Sequence, residues 1–419
     1  MSWFPAWVKP YVYWGISVAC FLVHLSIQVS SGMLVEQLSR DFNLDSISIT
    51  FLLGMVFYPN ICLQIPAGMV TDRFGARRVL GTGAFVCAIG AWGFSGSQTY
   101  TEACLYRLVM GAGLSFSFVS MAYLIANWMR RESFSMMFSV AEMIALFSSV
   151  VCMRYLSTFL EFSSWRDFTF YIAYMALFLS IVSFVFIRDK PHYLEDESPS
   201  LSFLDILGHL RSFVADYQMW ANGAFSGLLF ANLSCFVAIW GPTFLSASST
   251  ISLQEAASMC STLTLGLVVG CPLIAIFLPR INNIHMVLSL SALTASISMS
   301  IIVVFPLMDA FLIRVLLFVC GLSTVVYLVP FTITNYYVRP GTKSTAIGFT
   351  NLLSTIFGPT LSVIIGFMVE HHRVINGLES YSLSSYQYGM NVLPMVMFLA
   401  ALLCFFAPNT HRAGGEYDF

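Results

Sequence analysis

Charge is what this sequence has least of. Only 10% of its 419 residues are Asp, Glu, Lys or Arg, and 58% are hydrophobic, whereas soluble proteins carry roughly a quarter of their residues as charged side chains. A folded soluble domain keeps a polar exterior, so a chain this poor in charge cannot hide its apolar surface in one core. The composition excludes an ordinary soluble protein and predicts an integral membrane protein.

Other chemical signatures are missing too. The net charge of −2 offers no concentrated basic face, so no nucleic-acid partner is indicated. The ten cysteines stand singly without a CxxC pair, which favours apolar packing over a metal or disulfide framework. No G-x-x-x-x-G-K-[ST] loop occurs, so ATP is not the expected energy source. Without a metal cluster or a nucleophile constellation, we expect no enzyme and no cofactor.

What the chain does have is long apolar runs. A helix that crosses a bilayer needs about 20 mostly apolar residues. Twelve such runs lie near residues 11–37, 47–70, 78–97, 102–128, 133–160, 167–187, 218–246, 252–278, 284–306, 309–337, 343–369 and 387–407. The run after Lys9 exceeds a signal-peptide core and lacks a small-residue cleavage site, so we expect it to remain. The predicted fold class is an all-α integral membrane protein with twelve transmembrane helices.

The basic residues indicate the orientation of these spans, because cytoplasmic loops are enriched in Lys and Arg. With the N-terminus inside, the cytoplasmic set is Lys9, Arg73, Arg77, Arg78, Arg130, Arg131, Arg188, Lys190, Arg211, Arg280, Arg339, Lys343 and Arg412, and the outer set is Arg40, Arg166 and Arg373. The asymmetry predicts that both termini are cytoplasmic.

The chain divides into two predicted six-helix bundles, residues 1–190 and 218–419. Between them, residues 191–217 form the one sizeable cytoplasmic connection, which begins polar and ends with Leu204, Leu207, Leu210 and Val214 at helical spacing. This pattern predicts a linker followed by an amphipathic helix at the membrane surface.

The two halves share the spacing of charged residues at the start of equivalent spans. Glu102 and Arg107 open span 4, and Asp309 and Arg314 open span 10, with an offset of 207 residues. Such a repeat predicts an internal duplication, which in transporters places the substrate path between the repeats.

The loop between spans 2 and 3 contains the most specific motif. It runs Gly68-Met69-Val70-Thr71-Asp72-Arg73-Phe74-Gly75-Ala76-Arg77-Arg78. Gly68 and Gly75 permit close backbone approach and a tight turn, and Asp72 can lie near the positive N-terminal end of a neighbouring helix. Simple positive-inside anchoring would account for Arg77 and Arg78, but not for Asp72 or the glycines.

This loop resembles the G-x-x-x-D-R-x-G-x-R-R signature of the major facilitator superfamily. Span 4 adds Arg107, Gly111 and Gly113, similar to the superfamily's R-x-x-x-G-x-G pattern. The resemblance implies the major facilitator fold, with two pseudo-symmetric six-helix bundles. It also implies that the loop, including Arg73, is a gating element that latches the two halves on the cytoplasmic side when the protein opens outward.

Further stretches resemble the phagosomal transporter family of intracellular proteobacteria. They lie at residues 63–68, 126–128, 165–166, 188–191, 345–351 and 376–387. Members of that family import amino acids or nucleosides, and neighbouring branches carry siderophores and dipeptides. The resemblance implies a multi-pass protein of a bacterial inner membrane. One departure is Gln28, where relatives often have an arginine, and this departure bears on the identity of the substrate.

Ionisable residues at membrane depth are costly and therefore indicate candidate sites. His24 and Gln28 lie one turn apart on span 1 and face the same side, so they either line the path or bond a neighbouring helix. Glu142 lies about 13 Å into span 5, where a carboxylate suits a proton relay or a structural pair. Together, His24 and Glu142 favour proton coupling.

Three arginines are further candidates. Arg107 and Arg314 each lie five residues inside the outer ends of their spans, from which a snorkelling side chain reaches water. Arg107 matches the superfamily pattern and is favoured for the path, whereas Arg314 and Arg154 also suit interfacial anchors.

Uncharged polar residues complete the candidate site. Such side chains either hydrogen-bond a polar solute in an apolar cavity or pack helix against helix. They are Asn60, Gln64, Tyr123, Asn232, Tyr327, Thr332 and Asn351.

These observations predict a secondary transporter that works by alternating access, most simply as a monomer in the lipid bilayer. An amino acid is the first expectation for the substrate, by resemblance, and a nucleoside or a carboxylate-type siderophore is the alternative. A non-transporting receptor or scaffold is the alternative of another class, and the Asp72 loop argues against it.

Overall fold

The computed structural model describes residues 5, 7–191, 203–247, 251–281, 283–338, 341–377 and 382–405. These ranges are helical almost throughout and contain no β-strand. Predictions that concern Arg339, Arg412 and the polar start of the linker at 192–202 lie outside the described residues.

Most of the helices follow the predicted apolar runs. We number the α-helices of the described ranges α1 (Lys9–Met33), α2 (Val35–Phe42), α3 (Ser46–Gly54), α4 (Phe57–Cys62), α5 (Gln64–Phe74), α6 (Ala76–Gly96), α7 (Tyr100–Trp128), α8 (Phe134–Phe162), α9 (Trp165–Phe186), α10 (Phe203–Ala215), α11 (Tyr217–Ala231), α12 (Gly241–Ser246), α13 (Leu253–Phe277), α14 (Ile284–Val304), α15 (Ala310–Thr324), α16 (Val329–Tyr337), α17 (Lys343–Ile375), α18 (Leu383–Met390) and α19 (Val392–Phe405). A π-helical segment, Asn232–Trp240, joins α11 to α12, and a 3-10 turn, Val325–Leu328, joins α15 to α16.

Eleven helices of the described ranges are long and apolar enough to cross a membrane, and a bent helix pair raises the number to twelve if it counts as one span. The bend, of 115°, separates Val35–Phe42 from Ile47–Cys62. The bend precedes the predicted second span, and that span is itself divided into α3, α4 and α5 rather than continuous. Pro59 and Pro66 lie in the first turns of α4 and α5, where the missing proline N–H leaves no helical bond unmade. The all-α membrane class is confirmed.

The acidic residues of this repeat, Glu102 and Asp309, cap helices. Thr99 and Glu102 form a reciprocal capping box at the start of α7, and the Asp309 side chain accepts a hydrogen bond from the Phe311 N–H at the start of α15. Each carboxylate satisfies N–H groups that a helix start leaves unpaired. Helix capping therefore explains why an acidic residue occurs at both of these positions.

The predicted amphipathic helix corresponds to α10. Its buried side chains are Ile206 and Phe213, whereas Leu207 and Val214 of the predicted apolar face are exposed. The helix is where the pattern placed it, but the side chains that pack against the protein are a different set.

The helices group into two compact units. Unit one contains Met1–Phe134, Phe147–Asp216 and Thr334–Leu352, and unit two contains Ser135–Leu146, Tyr217–Ile333 and Leu353–Phe419. Each unit therefore takes one short segment from the other half of the sequence. The division at 190 and 218 into two bundles stays a prediction.

Glycines allow close helix packing inside each unit. In unit one, a Cβ at Gly90 would lie 2.6 Å from the Met110 backbone nitrogen, so α6 and α7 approach closely there. In unit two, Gly266 faces the Phe318 carbonyl, which brings α13 against α15. Close approach of this kind is typical of small residues between membrane helices.

Candidate substrate and coupling site

His24 is the centre of a polar cluster in unit one. It is buried in the middle of α1, and both ring nitrogens have partners. Nδ1 lies 2.7 Å from the Ser117 Oγ of α7. Nε2 lies 2.8 Å from the Gln28 Nε2 and 3.1 Å from the Asn60 Nδ2. The predicted pair His24 and Gln28 is therefore in direct contact.

The cluster continues through Gln64 to α17. The Gln64 Nε2 donates to the Asn60 backbone oxygen at 2.9 Å and to the Asn60 Oδ1 at 3.0 Å. The Asn351 Nδ2 donates to the Gln64 Oε1 at 2.9 Å. Five predicted residues thus belong to one hydrogen-bonded cluster within unit one: His24, Gln28, Asn60, Gln64 and Asn351.

Glu142 and Tyr327 form a second site, inside unit two. The Tyr327 hydroxyl donates to the Glu142 Oε1 at 2.8 Å, and Glu142 is 7% exposed. The second carboxylate oxygen, Oε2, has no partner among the described residues. The Phe230 ring packs against Tyr327. A carboxyl group with one bonded and one open oxygen can hold a proton on the open side.

Asn232 begins the π-helical segment and is fully buried in unit two. Its Nδ2 lies 2.9 Å from the Thr324 Oγ1 and contacts the sulfur atoms of Cys320 and Met397. Its Oδ1 has no partner among the described residues. An acceptor left open where the helix widens can accept a hydrogen bond from a solute.

The two units use equivalent positions for these contacts. Asn232 follows His24 by 208 residues, and Thr324 follows Ser117 by 207. These offsets are close to the 207 residues that separate Arg107 from Arg314. His24 bonds Ser117 in unit one, and Asn232 bonds Thr324 in unit two. The internal repeat therefore extends to a buried polar pair between the first and fourth spans of each half. Ser117 and Thr324 were not predicted, since serine and threonine are common in packed membrane helices.

Arg107 lies two turns into α7 in unit one, and it is enclosed. It is 1% exposed, and its Nη2 donates to the Ser31 Oγ at 2.7 Å and to the Leu53 carbonyl at 3.2 Å. The guanidinium also lies 5.3 Å from the Phe94 ring centroid. Leu53 is near the end of α3, where the helix break frees carbonyl groups. These contacts give Arg107 a structural role beside any role in the path.

The other two arginines are more exposed. Arg314 lies 3.9 Å from the Glu255 carboxylate, with about a third of its side chain exposed, and the Arg154 residue is exposed. Neither of them is enclosed as Arg107 is.

This contrast predicts different costs for two matched substitutions. Arg107→Met removes the donor of the buried Ser31 hydroxyl and of the partly buried Leu53 carbonyl. A hydrogen bond from a charged group contributes about 1.5–3 kcal/mol. Arg314→Met removes a partly exposed ion pair, which contributes about 0–1 kcal/mol. Thermal unfolding in detergent should show a clear loss of stability for the first variant and little change for the second. Equal losses would contradict the enclosed position of Arg107.

The signature loop joins α5 to the start of α17 within unit one. The Asp72 carboxylate accepts from the Ser344 N–H at 3.0 Å, from the Thr345 N–H at 2.8 Å and from the Thr345 hydroxyl at 2.7 Å. The structure thus places Asp72 at a positive helix end, as its chemistry favours. A Cβ at Gly68 would lie 2.5 Å from the Ser344 carbonyl oxygen. The glycine is required for this close approach.

The second glycine of the loop serves a turn. Gly75 has φ +79°, in the left-handed region that favours glycine, and a Cβ there would collide with the Asp189 side chain. Asp189 accepts from the Arg77 N–H at 2.7 Å. Asp189 was not among the predicted site residues. Of the remaining basic residues of the motif, Arg73 and Arg78 are exposed.

Burial changes the acidity of the two loop carboxyls. Burial raises the pKa of Asp72 to about 6, although hydrogen bonds from Thr345 and Ser344 oppose the shift. Burial also raises the pKa of Asp189, opposed by the Arg77 N–H bond and by nearby basic side chains. Desolvation disfavours the charged form of a carboxyl group, which is the direction seen for both.

A third contact within unit one joins the turn before α8 to α16. The Arg131 guanidinium lies 4.5 Å from the Tyr336 ring centroid, and the Tyr336 hydroxyl donates to the Arg131 carbonyl at 2.7 Å. Arg131 was predicted only as a cytoplasmic anchor.

Within unit one, α5 and the first turns of α17 form a seam. Asp72 lies at one end of this seam, and the contact of Gln64 with Asn351 lies at the other.

No group of three or more His, Cys, Asp or Glu side chains in the described part of the chain could hold a metal ion. The fold, the spans and the polar clusters buried within them define a multi-pass membrane transporter. The chain matches the Major Facilitator Superfamily over residues 16–363. It belongs to that family, whose members move solutes rather than catalyse reactions.

Known proteins agree with this assignment. The chain is 26% identical over 257 residues to a probable nitrate/nitrite antiporter, NarK1, of Thermus thermophilus, in a match that covers 58% of this chain and 55% of that protein. It resembles the E. coli fucose:proton symporter FucP, with a TM-score of 0.69, 15% identity and coverage of 94% of this chain and 99% of FucP. It also resembles the proton:xylose symporter XylE, with a TM-score of 0.69, 15% identity and coverage of 96% and 97%. At these identities the structural likeness shows the fold.

Proposed function

We propose that this chain is a proton-coupled secondary transporter that moves a small polar organic solute, first of all an amino acid, by alternating access. It acts as a monomer in a bacterial inner membrane, with both termini cytoplasmic. Among superfamily members, the phagosomal transporter branch is the proposed subgroup, and it rests on sequence resemblance.

The observation that carries the proton coupling is the buried pair of Glu142 and Tyr327. Placing a carboxyl group within a membrane span costs free energy, so such a group usually has a function or a hydrogen-bonding partner. Tyr327 supplies one hydrogen bond, and the other oxygen is open among the described residues. The group can therefore gain and lose a proton while Tyr327 keeps it oriented. Proton symport by FucP and XylE supports the same energy source.

The polar clusters favour a solute that is recognised by hydrogen bonds. The side chains around His24 are amides and a hydroxyl, and the open group at Asn232 is an amide oxygen. A carboxylate-rich siderophore would need several cations, and Arg107 is instead committed to Ser31 and Leu53. An amino acid or a nucleoside fits this chemistry better.

Uptake into proteoliposomes tests the proposal. Purified protein is exposed to labelled amino acids, nucleosides and iron chelates, with and without an imposed proton gradient. We expect accumulation of one amino acid that a gradient accelerates and that an uncoupler abolishes. Binding without accumulation in any condition would favour a receptor. Gradient-accelerated uptake of nucleosides alone would move the substrate to the alternative while leaving the mechanism intact.

A further inference from the structure

The amide chain from His24 to Asn351 has only one possible polarity. Side-chain amides can be turned end for end, so their oxygen and nitrogen positions must be assigned from the network. A backbone carbonyl cannot turn. The Asn60 backbone oxygen lies 2.9 Å from the Gln64 amide, and because it only accepts, it requires the NH₂ group of Gln64 on that side.

This one carbonyl determines every other group in the chain. The Gln64 NH₂ group also faces the Asn60 side chain at 3.0 Å, which must present its oxygen. Asn60 therefore turns its own NH₂ group toward the His24 Nε2, at 3.1 Å. At the other end, the Gln64 oxygen faces Asn351 and accepts from it at 2.9 Å.

The chain in turn determines the state of His24. Since the Nε2 atom faces a donor on Asn60, it must be an unprotonated acceptor, and Gln28 donates to the same atom. The ring proton is then on Nδ1 and is donated to the Ser117 Oγ, whose own proton goes to the Leu114 carbonyl at 2.8 Å. His24 is neutral in this arrangement.

A proton added at Nε2 removes the acceptor of the Asn60 NH₂ group, even if Gln28 turns end for end and accepts that proton. To bond the ring again, Asn60 would have to turn and present its own NH₂ group to that of Gln64. Gln64 cannot turn in response, because its oxygen would then face the Asn60 carbonyl. An unbroken chain from His24 through Gln64 to Asn351 therefore requires an unprotonated Nε2.

We infer that Gln64 is a positioning residue that couples proton binding at the His24 Nε2 to release of Asn351 on α17. The inference rests on the proposed proton-coupled transport. The proton comes from the aqueous phase, adds to the Nε2 lone pair and leaves by the same atom, so no covalent bond other than N–H forms or breaks. Glu142 belongs to unit two and is a separate proton site.

The groups that face His24 are neutral. Ser117 comes from α7, Asn60 from α4 and Phe21 from its own helix. The charged side chains of these elements are distant along the chain: Arg107 lies ten residues before Ser117 on α7, about 15 Å at helical rise. The thiols of Cys20 and Cys87 line a small cavity beside Ser117. No carboxylate or guanidinium among the described residues bonds the imidazole, so its own proton decides the state of the chain.

Nitrogen NMR of the full-length protein tests the tautomer directly. The chain is labelled with ¹⁵N-histidine, reconstituted in lipid nanodiscs, and the His24 signals are assigned by their loss in His24→Gln. At neutral pH we expect a protonated Nδ1 and a bare Nε2. A proton on Nε2 at neutral pH would overturn the inference, whatever the transport activity.

Transport of a matched pair of variants tests the coupling. Gln64→Leu removes the central amide, and Asn127→Leu removes an amide that makes the same bond to a backbone carbonyl four residues earlier, on α7. We expect Gln64→Leu to lose most of the acceleration by a proton gradient and Asn127→Leu to keep it. Should Gln64→Leu prove poorly folded, the milder Asn351→Leu breaks the same chain one bond further on.

The outcomes separate the inference from the proposed function. A wild-type protein that responds to the gradient, together with Gln64→Leu and Asn351→Leu variants that respond equally, overturns the inference and leaves proton coupling in place. A wild-type protein that transports without any response to the gradient overturns the proposed coupling and the inference with it.

Discussion

Replacing Glu142 by Gln is expected to abolish the acceleration of transport by a proton gradient while leaving solute exchange at equal pH in place. The amide keeps the oxygen that accepts from the Tyr327 hydroxyl, at 2.8 Å in the native pair, but it cannot take up or release a proton. The measurement is initial uptake into proteoliposomes with and without an inwardly acid gradient, and the ratio of the two rates should fall to about one.

The control is a carboxylate at the end of a span, which the site does not use. Glu255 pairs with Arg314 at 3.9 Å and is half exposed, so Glu255→Gln should keep the wild-type ratio. Tyr327→Phe tests orientation separately: the proton can still bind Glu142, and the gradient response should weaken rather than vanish. Undiminished acceleration in Glu142→Gln would remove Glu142 from the mechanism.

Much of the fold was predictable because long apolar runs in a sequence identify its membrane helices. Lipid leaves no choice for an apolar run of some 20 residues except to satisfy its backbone as a helix. The interruption of the second span was harder to predict. Pro59 and Pro66 indicate the local breaks that divide it into α3, α4 and α5. The separate 115° bend before Ile47 precedes the span and depends on how the flanking segments pack.

The site was predictable residue by residue, but its connections were not. His24, Asn60 and Asn351 were selected because polar groups at membrane depth are costly. Which of them touch depends on the register between helices far apart in sequence. Gln64 illustrates this: nothing in its neighbourhood distinguishes it from a packing glutamine, and its importance comes from Asn351, 287 residues later.

Arg107 and Arg314 show the limit of the repeat itself. They occupy equivalent positions of the two halves and follow equivalent helix starts. One is enclosed by Ser31, Leu53 and Phe94, and the other is partly exposed beside a carboxylate. Equal spacing predicts an equal place along a helix, but the neighbouring helices decide what surrounds the side chain.

Asp72→Asn is expected to slow turnover by about tenfold or more while substrate affinity changes little. The native carboxylate accepts three hydrogen bonds from Ser344 and Thr345. An asparagine turns an NH₂ group toward one of those donors, and a hydrogen bond to a charged group contributes about 1.5–3 kcal/mol. The loss weakens one end of the seam between α5 and α17 without touching the polar cluster around His24. Single-turnover uptake and equilibrium substrate binding separate the two effects.

The pH dependence follows from the pKa of Asp72, which burial raises to about 6. The bonds to the carboxylate are fully present above that pH and are lost as the pH falls through 6, so the wild type at pH 5 should approach the Asn variant. Unfolding is not the cause. A raised carboxyl pKa adds stability that is fully present below the unfolded value of 3.8 and is lost as the pH rises through about 6.

Two further variants decide whether the seam is responsible. Gly68→Val inserts a side chain where a Cβ would already lie 2.5 Å from the Ser344 carbonyl. The variant should therefore turn over slowly at every pH, and its turnover rate should not change as the pH passes through 6. Glu132→Gln changes an exposed carboxylate in another connection between spans and should behave as the wild type. If Asp72→Asn and Gly68→Val both turn over at the native rate, the contact between α5 and α17 does not limit transport, because the two changes disrupt it by independent means.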